Sequence, residues 1–391
     1  MSGGSRPSVV RPVVAGIVTA LVGVTSSFAV VLTGLGAVGA TPAQAASGLL
    51  ALCVTMGLAC IVLSWRYRMP ITSAWSTPGA AVLAGAAAVD GGWPAGVGAF
   101  LVVAGLILLT ALWPRLGGLI SRIPASIAQA MLAGVLLPLC LAPVEGLVAD
   151  PLAVAPVLVV WLLAARWAPR WAVPLAFVAA AVVIGVHAVR TGAAISGAAL
   201  VPRVEFTMPT FTLEAVVGIA LPLFLVTMAS QNVPGVAVMR SYGYEVPWRP
   251  AMFVTGIGTA VGSVAGGHAI NLAAISAALA AAPDAEPDPR RRWIAGVSTG
   301  VSGIVLGGLS AALVALVLIA PAGVVPAVAG VALFATLGGA LQQSMAEARE
   351  RIPAVVTLIV AASGIALGGV GAAFWALIAG LVTRAVVIRG R

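Results

Sequence analysis

Long apolar runs follow one another along almost the whole chain, from residue 12 to residue 388, with short polar or Gly/Pro-rich breaks between them. Most runs have about 20 residues, the length that a helix needs to cross a hydrocarbon core of ~30 Å. The pattern predicts an all-α polytopic membrane protein with fourteen membrane segments. We expect them at 12–37, 44–64, 76–89, 94–113, 123–142, 151–168, 171–189, 213–239, 249–265, 269–282, 292–319, 326–345, 353–367 and 371–388.

Two of these segments, the third and the tenth, are too short to span a bilayer. With about a dozen small apolar residues each, they cover roughly half of the hydrocarbon core. Each begins with residues typical of a helix start: Ser76, Thr77, Pro78 and Gly79 in the third, and His268, Ala269, Ile270 and Asn271 in the tenth. We expect Thr77 and Asn271 to cap these two broken half-helices. Half-helices in corresponding places of two chain halves are typical of secondary transporters.

An internal repeat relates the two halves of the chain. Gly16 and Ile17 recur as Gly218 and Ile219, and further matches follow at the same offset. Seven segments per half is an odd number, so the second half must start on the opposite side of the membrane. The sequence therefore predicts a 7+7 inverted repeat, with the first repeat at 1–190, an extracytoplasmic linker at 191–212 and the second repeat at 213–391.

Composition and charge fix the class of protein and its sidedness. The chain is 61% hydrophobic and 8% charged, which excludes a soluble globular protein. All 20 basic residues are arginine, and with a cytoplasmic N-terminus only Arg190 and Arg203 fall outside. This is the positive-inside pattern, so we expect a multi-pass protein of the inner cell membrane with both termini in the cytoplasm. The net charge of +9 then reflects the arginines on the cytoplasmic side of the membrane, not a site for nucleic acid. We expect a lipid bilayer and no nucleic acid as partner.

Several polar residues fall at bilayer depth and are candidates for substrate contacts. The start of each half-helix exposes backbone N–H groups and a partial positive charge, which favours an anion; ordinary caps on tilted helices are the alternative. Ser230, Gln231 and Asn232 lie in the middle of the eighth segment and serve either as interhelical hydrogen-bonding groups or as substrate contacts. Phe28 either stacks on an aromatic ligand or packs against its neighbours.

His268 is the ionisable residue that we place deepest in the membrane, which makes it a candidate proton carrier. The alternative is a histidine at the outer interface that bonds to a loop. We find no enzyme constellation in the sequence, and the two histidines and three cysteines lack metal-like spacing, so we expect no enzyme activity, no metal and no cofactor.

Stretches in both halves resemble a known transporter family. They are residues 74–81, 228–235 and 266–275, together with 363–365 and 373–375 near the C-terminus. This sequence resembles the benzoate/proton symporter family of the BenE type, which is related in architecture to the uracil and xanthine permeases. The resemblance implies a core domain from 12–113 and 213–319 and a gate domain from 123–189 and 326–388. It also implies a substrate between the third and tenth segments, against the eighth.

The resemblance implies a secondary active transporter that imports benzoate or a similar aromatic carboxylate with a proton, by alternating access. The permeases usually carry an acidic residue in the eighth segment, where this chain has Ser230 or its neighbours, and its absence agrees with an anionic substrate. Either His268 or the carboxyl group of the substrate itself would carry the proton. The alternatives are a nucleobase or other small-anion permease on the same fold, an anion channel and a non-transporting scaffold. Related architectures also imply a possible homodimer.

Overall fold

The computed structural model describes residues 9–86, 90–113, 124–193, 196–367 and 370–389. Most of these residues are helical. The helices are α1 (Val10–Thr25), α2 (Phe28–Ala37), α3 (Pro42–Tyr67), α4 (Thr77–Ala84), α5 (Gly92–Leu112), α6 (Ala125–Ala149), α7 (Pro151–Trp167), α8 (Ala172–Thr191), α9 (Leu213–Ser241), α10 (Trp248–Ser263), α11 (Ile275–Ala281), α12 (Trp293–Gly307), α13 (Ser310–Leu318), α14 (Val324–Ser344), α15 (Arg351–Ala362) and α16 (Ala372–Arg389). Short 3-10 turns lie at Pro169–Trp171, Gly197–Leu200, Pro289–Arg291 and Ala348–Glu350, and two strands at β1 (Ser73–Trp75) and β2 (Ile270–Leu272).

Seven helical stretches among the described residues are long and apolar enough to cross a membrane, and there are eight if the bent pair of α12 and α13 is one span. The chain is therefore a mostly helical, multi-pass membrane protein. The shorter helices α4, α10, α11 and α15 do not reach that length. The predicted total of fourteen segments and their 7+7 arrangement remain predictions.

Some residues of these predictions lie outside the described parts of the chain. They are residues 87–89 at the end of the third segment, residue 123 at the start of the fifth, and Arg6, Arg115, Arg122 and Arg391 of the arginine pattern.

The first predicted segment is broken where the sequence pattern predicts a continuous helix. Helix α1 ends at Thr25, and α2 begins at Phe28. The hydroxyl groups of Ser26 and Ser27 both donate to the carbonyl oxygen of Gly23, at 3.1 Å each. Such bonds from serine to the backbone compete with the helical ladder, which explains a break at this pair.

Helix α9 is irregular at the corresponding place of the second half. It contains two π-helical turns, Val216–Ala220 and Met228–Asn232; in the second, Val233 N–H donates to the carbonyl oxygen of Met228. Pro234 follows directly and has no N–H, so it cannot donate the backbone hydrogen bond of a regular α-helix. The wider π-helical turn before it accommodates this missing bond. The offset that relates Gly16 to Gly218 also relates Ser26 to Met228, so these two irregularities lie at positions that the predicted repeat makes equivalent.

The two half-helices each follow a short strand, and the strands pair with each other. Strands β1 and β2 are antiparallel, with Ala74 opposite Asn271. The predicted helix start at residue 269 is therefore wrong, because residues 270–272 are extended and α11 begins only at Ile275. The cap of α4 also differs by one residue: Ser76 is the N-cap, and Thr77 is the first helical residue.

The helices pack as two groups. In the first group, α12 packs against α1 and α3, α10 packs against α3 and α5, α2 packs against α4, and α11 packs against α1 and α9. In the second group, α6 packs against α14 and α15, α15 against α16, and α7 against α8 and α14. A separate apolar cluster, with Val157, Ala180 and Val328 at its centre, joins α7, α8 and α14.

The segment between the halves, predicted as a linker at 191–212, crosses the ends of the first group. Glu205 N–H donates to the hydroxyl of Ser47 at 2.8 Å, at the start of α3. Thr210 N–H donates to the carbonyl oxygen of Pro94 at 3.0 Å, at the start of α5. These bonds place the starts of α3 and α5 on one face of the protein.

Candidate functional site

A cavity of about 360 Å³ lies where the two groups of helices meet. One side is formed by α1, α3, α9 and α12, by strand β1 and by the residues that follow the two strands. The other side is formed by the start of α8 and by the middle of α14. This volume is within the range of small-molecule sites, about 300 to 1,000 Å³.

Four polar side chains line the cavity without a hydrogen-bond partner among the described residues: Thr77, Gln231, Ser276 and Thr336. Thr77 is the first residue of α4, Ser276 is the second of α11, and Gln231 lies in the second π-helical turn of α9. Hydroxyl groups and an amide can all donate hydrogen bonds to an anionic oxygen. Thr77, Gln231 and Ser276 therefore form a donor cluster at the point where the strand pair meets α9. Thr336 belongs to α14, on the other side of the cavity.

The rest of the cavity wall is mostly apolar. Val24, Met56 and Leu333 line it, together with the indole of Trp75. Trp75 Nε1 donates to the hydroxyl of Ser27 at 2.8 Å, so the break between α1 and α2 fixes the orientation of the indole ring. An apolar wall beside a donor cluster suits a ligand with a polar end and a flat apolar body.

The strand pair is tied together at both ends by backbone hydrogen bonds. Ser76 N–H donates to the carbonyl oxygen of Ala269 at 2.9 Å, and Ala273 N–H donates to that of Thr72 at 3.0 Å. Across the pair, the hydroxyl of Ser73 donates to the carbonyl oxygen of Asn271 at 2.8 Å.

Side chains from two helices satisfy further backbone groups of β2. Leu272 N–H donates to Asn232 Oδ1 at 2.9 Å, and Ile270 N–H donates to the hydroxyl of Thr259 at 3.1 Å. These N–H groups are used within the protein, so they are not free to bind a ligand. Strand β2 acts as a support for the cavity rather than as its surface.

The structure divides the residues predicted to bind substrate into two sets. Thr77, Pro78 and Gln231 line the cavity. The others lie behind its wall, buried or nearly so: Phe28, Ser76, Gly79, Ser230, Asn232, His268, Ala269, Ile270 and Asn271.

The buried polar residues of α4 and α9 have structural partners. The Ser76 hydroxyl accepts from Gly79 N–H at 3.1 Å, which caps α4, and shares a hydrogen bond of 2.7 Å with the hydroxyl of Thr227. The Ser230 hydroxyl donates to the carbonyl oxygen of Val226 at 2.6 Å, within its own helix. These contacts explain why neither hydroxyl reaches the cavity.

Asn271 does not cap a helix, contrary to the prediction. It lies in β2 and is fully buried; its Nδ2 donates to the carbonyl oxygen of Leu272 at 2.7 Å. Pairing with β1 keeps this residue extended, and an extended residue four positions before α11 cannot cap that helix. Ala274 is the N-cap instead, and it makes no side-chain cap.

His268 and Phe28 are both buried away from the cavity. The imidazole of His268 has no hydrogen-bond partner among the described residues, and its ring packs edge-on against Phe100 with centroids 6.4 Å apart. Phe28 packs edge-on against Phe177 of α8 at 5.0 Å. Neither side chain is placed to contact a ligand in the cavity.

Sequence reasoning missed several polar residues of the cavity, among them Ser276, Thr336 and Arg170. Ser276 was missed because the second half-helix was predicted to begin at residue 269, although one serine within a run of alanines and leucines was a usable signal. Arg170 was assigned to the cytoplasmic interface from the arginine pattern alone. The described residues contain no group of three His, Cys, Asp or Glu side chains placed to hold a metal ion.

Comparison with known sequences gives one family and two named relatives. The family described as "Benzoate membrane transport protein" (BenE) matches residues 6–386. The inner membrane protein YdcO of Escherichia coli is 36% identical over 376 residues, 95% of each chain. The benzoate membrane transport protein of Acinetobacter baylyi is 27% identical over 333 residues, 84% of this chain and 83% of that protein.

Among solved structures, the fold is similar to that of anion transporters. The transmembrane domain of the cyanobacterial bicarbonate transporter BicA has a TM-score of 0.61 at 16% identity, over 95% of this chain and 97% of that one. The anion transporter Slc26a9 of mouse, in its inward-facing state, has a TM-score of 0.56 at 12% identity, over 98% of this chain and 69% of that one. These likenesses concern the fold alone. They give no support to the expected relation to uracil and xanthine permeases, which remains a prediction.

Proposed function

This chain is a membrane transport protein and belongs to the BenE family of benzoate membrane transport proteins, and we propose that it imports benzoate or a similar aromatic carboxylate together with a proton. The observation that carries the proposal is the composition of the cavity. Its described lining has four unpaired hydrogen-bond donors and a largely apolar wall with one indole, and no acidic side chain. A buried carboxylate there would repel an anionic substrate, whereas neutral donors stabilise it.

In the proposed complex, the carboxylate of the substrate accepts hydrogen bonds from Thr77, Gln231 and Ser276. The aromatic ring then packs on the apolar wall beside Trp75 and Pro78. The remaining predicted residues act through the framework: Ser76 and Gly79 cap α4, Asn232 supports β2, and Ser230, Phe28 and residues 268–271 pack behind the wall.

The proposed architecture is fourteen segments in a 7+7 inverted repeat, with repeats at 1–190 and 213–391 and a linker at 191–212. Two features support it. An antiparallel strand pair centred on Ala74 and Asn271 is the arrangement that a two-fold axis in the membrane plane produces from equivalent segments. The matching irregularities at Ser26 and Met228 point to the same relation.

Transport in this proposal is alternating access, in which a core domain (12–113 and 213–319) moves against a gate domain (123–189 and 326–388). The two packing groups of helices correspond to these domains, and the cavity lies between them. The cavity extends along α11 to the loop between α7 and α8, a loop that the arginine pattern assigns to the cytoplasm. The described conformation is then open towards the cytoplasm, with both termini on that side.

For the proton, the structure favours the carboxyl group of the substrate over His268 as the carrier. His268 does not line the cavity, and a charged imidazolium would have no described hydrogen-bond partner. His268→Gln should then leave proton-driven uptake in place. Loss of coupling in a folded His268→Gln protein, with facilitated uptake retained, would assign the proton to His268.

The proposal is tested by uptake of labelled benzoate into proteoliposomes, with and without an inward proton gradient. Accumulation that collapses on addition of an uncoupler supports proton-coupled import. Saturable uptake that ignores the gradient contradicts proton coupling and leaves a facilitator, and flux that never saturates indicates an anion channel. If unlabelled bicarbonate or uracil is transported and benzoate is not, the assigned substrate is wrong and a small-anion or nucleobase permease takes its place.

A further inference from the structure

Arg170 is the one charged side chain among the described residues that line the cavity. It lies in the 3-10 turn Pro169–Trp171, between α7 and α8, and its side chain is 68% exposed. A guanidinium carries a permanent positive charge and several N–H donors in a planar fork that matches the geometry of a carboxylate. The wall of an otherwise uncharged cavity therefore has a carboxylate-binding group at its mouth.

The present partner of Arg170 is a carboxylate that does not line the cavity. Arg170 Nη2 lies 3.2 Å from Asp284 Oδ2, and the side chain of Asp284 is 76% exposed. Asp284 follows α11 in the first group of helices, whereas Arg170 belongs to the second. Exposed ion pairs of this kind contribute about 0–1 kcal/mol, so another carboxylate at the mouth can displace Asp284 at little cost.

We propose that Arg170 is a substrate-binding residue, which takes the carboxylate of the substrate in exchange for that of Asp284 at the mouth of the cavity. Arg170 would then select carboxylates over neutral aromatic molecules of the same shape. The exchange also breaks a contact between the two groups of helices, so passage of the anion through the mouth towards the cytoplasm loosens their connection. This inference rests on the proposed transport of an aromatic carboxylate.

Binding of labelled benzoate to purified protein and its uptake into proteoliposomes test the inference. Arg170→Gln should weaken benzoate binding about fivefold, the upper end of what an exposed ion pair supplies. Asp284→Asn should strengthen binding, because the competing carboxylate is gone. The salt dependence of benzoate binding should be smaller in Arg170→Gln than in the natural protein.

Arg166→Gln is the matched control. Arg166 is an exposed arginine in the last turn of α7, four positions before Arg170, and it does not line the cavity. Its removal takes away the same charge from the same face, so a general electrostatic effect would appear equally in both variants. The thermal stability of each variant in detergent shows whether the protein has remained folded.

The outcomes separate the inference from the proposed function. If the natural protein neither binds nor transports benzoate, the proposed function fails. If the natural protein transports benzoate and Arg170→Gln binds it as well as Arg166→Gln does, the inference is overturned. Weaker benzoate binding in Asp284→Asn would also overturn it, because the contact between the helix groups, and not the exchange of carboxylates, would then matter.

Discussion

The adjacent polar residues Gln231 and Asn232 of α9 have different structural roles, although they look equivalent in the sequence. Gln231 lines the cavity and has no hydrogen-bond partner among the described residues. Asn232 is fully buried, and its Oδ1 accepts from Leu272 N–H of β2. The π-helical turn widens the helix at this point and turns the two neighbours towards different surroundings.

The two residues should therefore respond differently to the same substitution. Asn232→Leu leaves the buried Leu272 N–H without an acceptor and should lower the free energy of unfolding by about 1–3 kcal/mol. Gln231→Leu should leave that free energy nearly unchanged and weaken benzoate binding. Unfolding in detergent followed by tryptophan fluorescence, with a benzoate binding assay, measures both. Equal stability of the two variants would contradict the assigned roles.

At the scale of elements, β2 depends on a side chain from α10. The hydroxyl of Thr259 accepts from Ile270 N–H and also donates to the carbonyl oxygen of Thr255 in its own helix, at 2.8 Å. Thr255 is equally buried and in the same helix, but its hydroxyl bonds only within α10 among the described residues. The two threonines form a natural comparison.

Thr259→Val should destabilise the protein by about 1–3 kcal/mol, because it strands a buried N–H of the strand. Thr255→Val removes a bond only to a carbonyl that the helix already satisfies, and it should cost under about 1 kcal/mol. Thermal unfolding in detergent distinguishes the two. Comparable losses would mean that β2 does not depend on α10 for its support.

The second half-helix is held at its other end by a buried arginine. Arg292 is 6% exposed and donates to the carbonyl oxygens of Ala281 at 2.9 Å and Glu286 at 2.6 Å. Ala281 is the last residue of α11, so a cation lies where the helix dipole is negative and the last carbonyls lack partners.

Arg292→Gln should release the end of α11, lower the free energy of unfolding by about 1–3 kcal/mol and reduce the rate of transport. The exposed Arg290, two residues earlier, provides the control, since Arg290→Gln should stay within about 0.5 kcal/mol of the natural protein. Hydrogen exchange of residues 275–282 would localise the effect. Unchanged exchange there in Arg292→Gln would refute the capping role.

At the scale of the whole molecule, one ion pair joins distant parts of the second helix group. Glu350, which precedes α15, accepts from Arg384 Nε of α16 at 2.7 Å and from the hydroxyl of Ser126, at the start of α6, at 3.4 Å. The side chain of Glu350 is 7% exposed, and that of Arg384 is 40% exposed.

This asymmetry predicts unequal effects of the two neutral substitutions. Arg384→Gln leaves a buried carboxylate without its cation and should cost about 3 kcal/mol of unfolding free energy. Glu350→Gln leaves an arginine that water can reach and should cost about 1 kcal/mol. The exposed Glu347 serves as a neutral reference in the same unfolding assay. A larger loss in Glu350→Gln would contradict this account.

Two of the four unpaired polar side chains of the candidate site, Thr77 and Gln231, were predictable from the sequence. The donors near Thr77 and Gln231 could be found because polar residues in an apolar run are conspicuous at any position. The extended conformation of Asn271 could not be found, because a short strand between two apolar helices has no local signal that separates it from a helix start. The burial of His268 could not be predicted either, because the position of a residue along a membrane segment does not show whether its side chain faces a cavity.

Hydropathy and composition, which add up along the chain, determined the membrane class and predicted the short third and tenth segments. The likeness to the BenE family rests on particular stretches, at 74–81, 228–235 and 266–275. Only the tertiary structure decided which groups face the cavity. Strands β1 and β2 are joined by residues such as Ser73 and Asn271, which are 198 positions apart in the sequence. Their pairing uses backbone N–H groups that a prediction from local sequence treats as free to bind a ligand. The length of an apolar run depends only on neighbouring residues, whereas the hydrogen-bond partner of a polar group depends on which residues the fold brings into contact. For that reason the sequence determined the segments of this protein, and folding decided which of their polar groups remain available to a substrate.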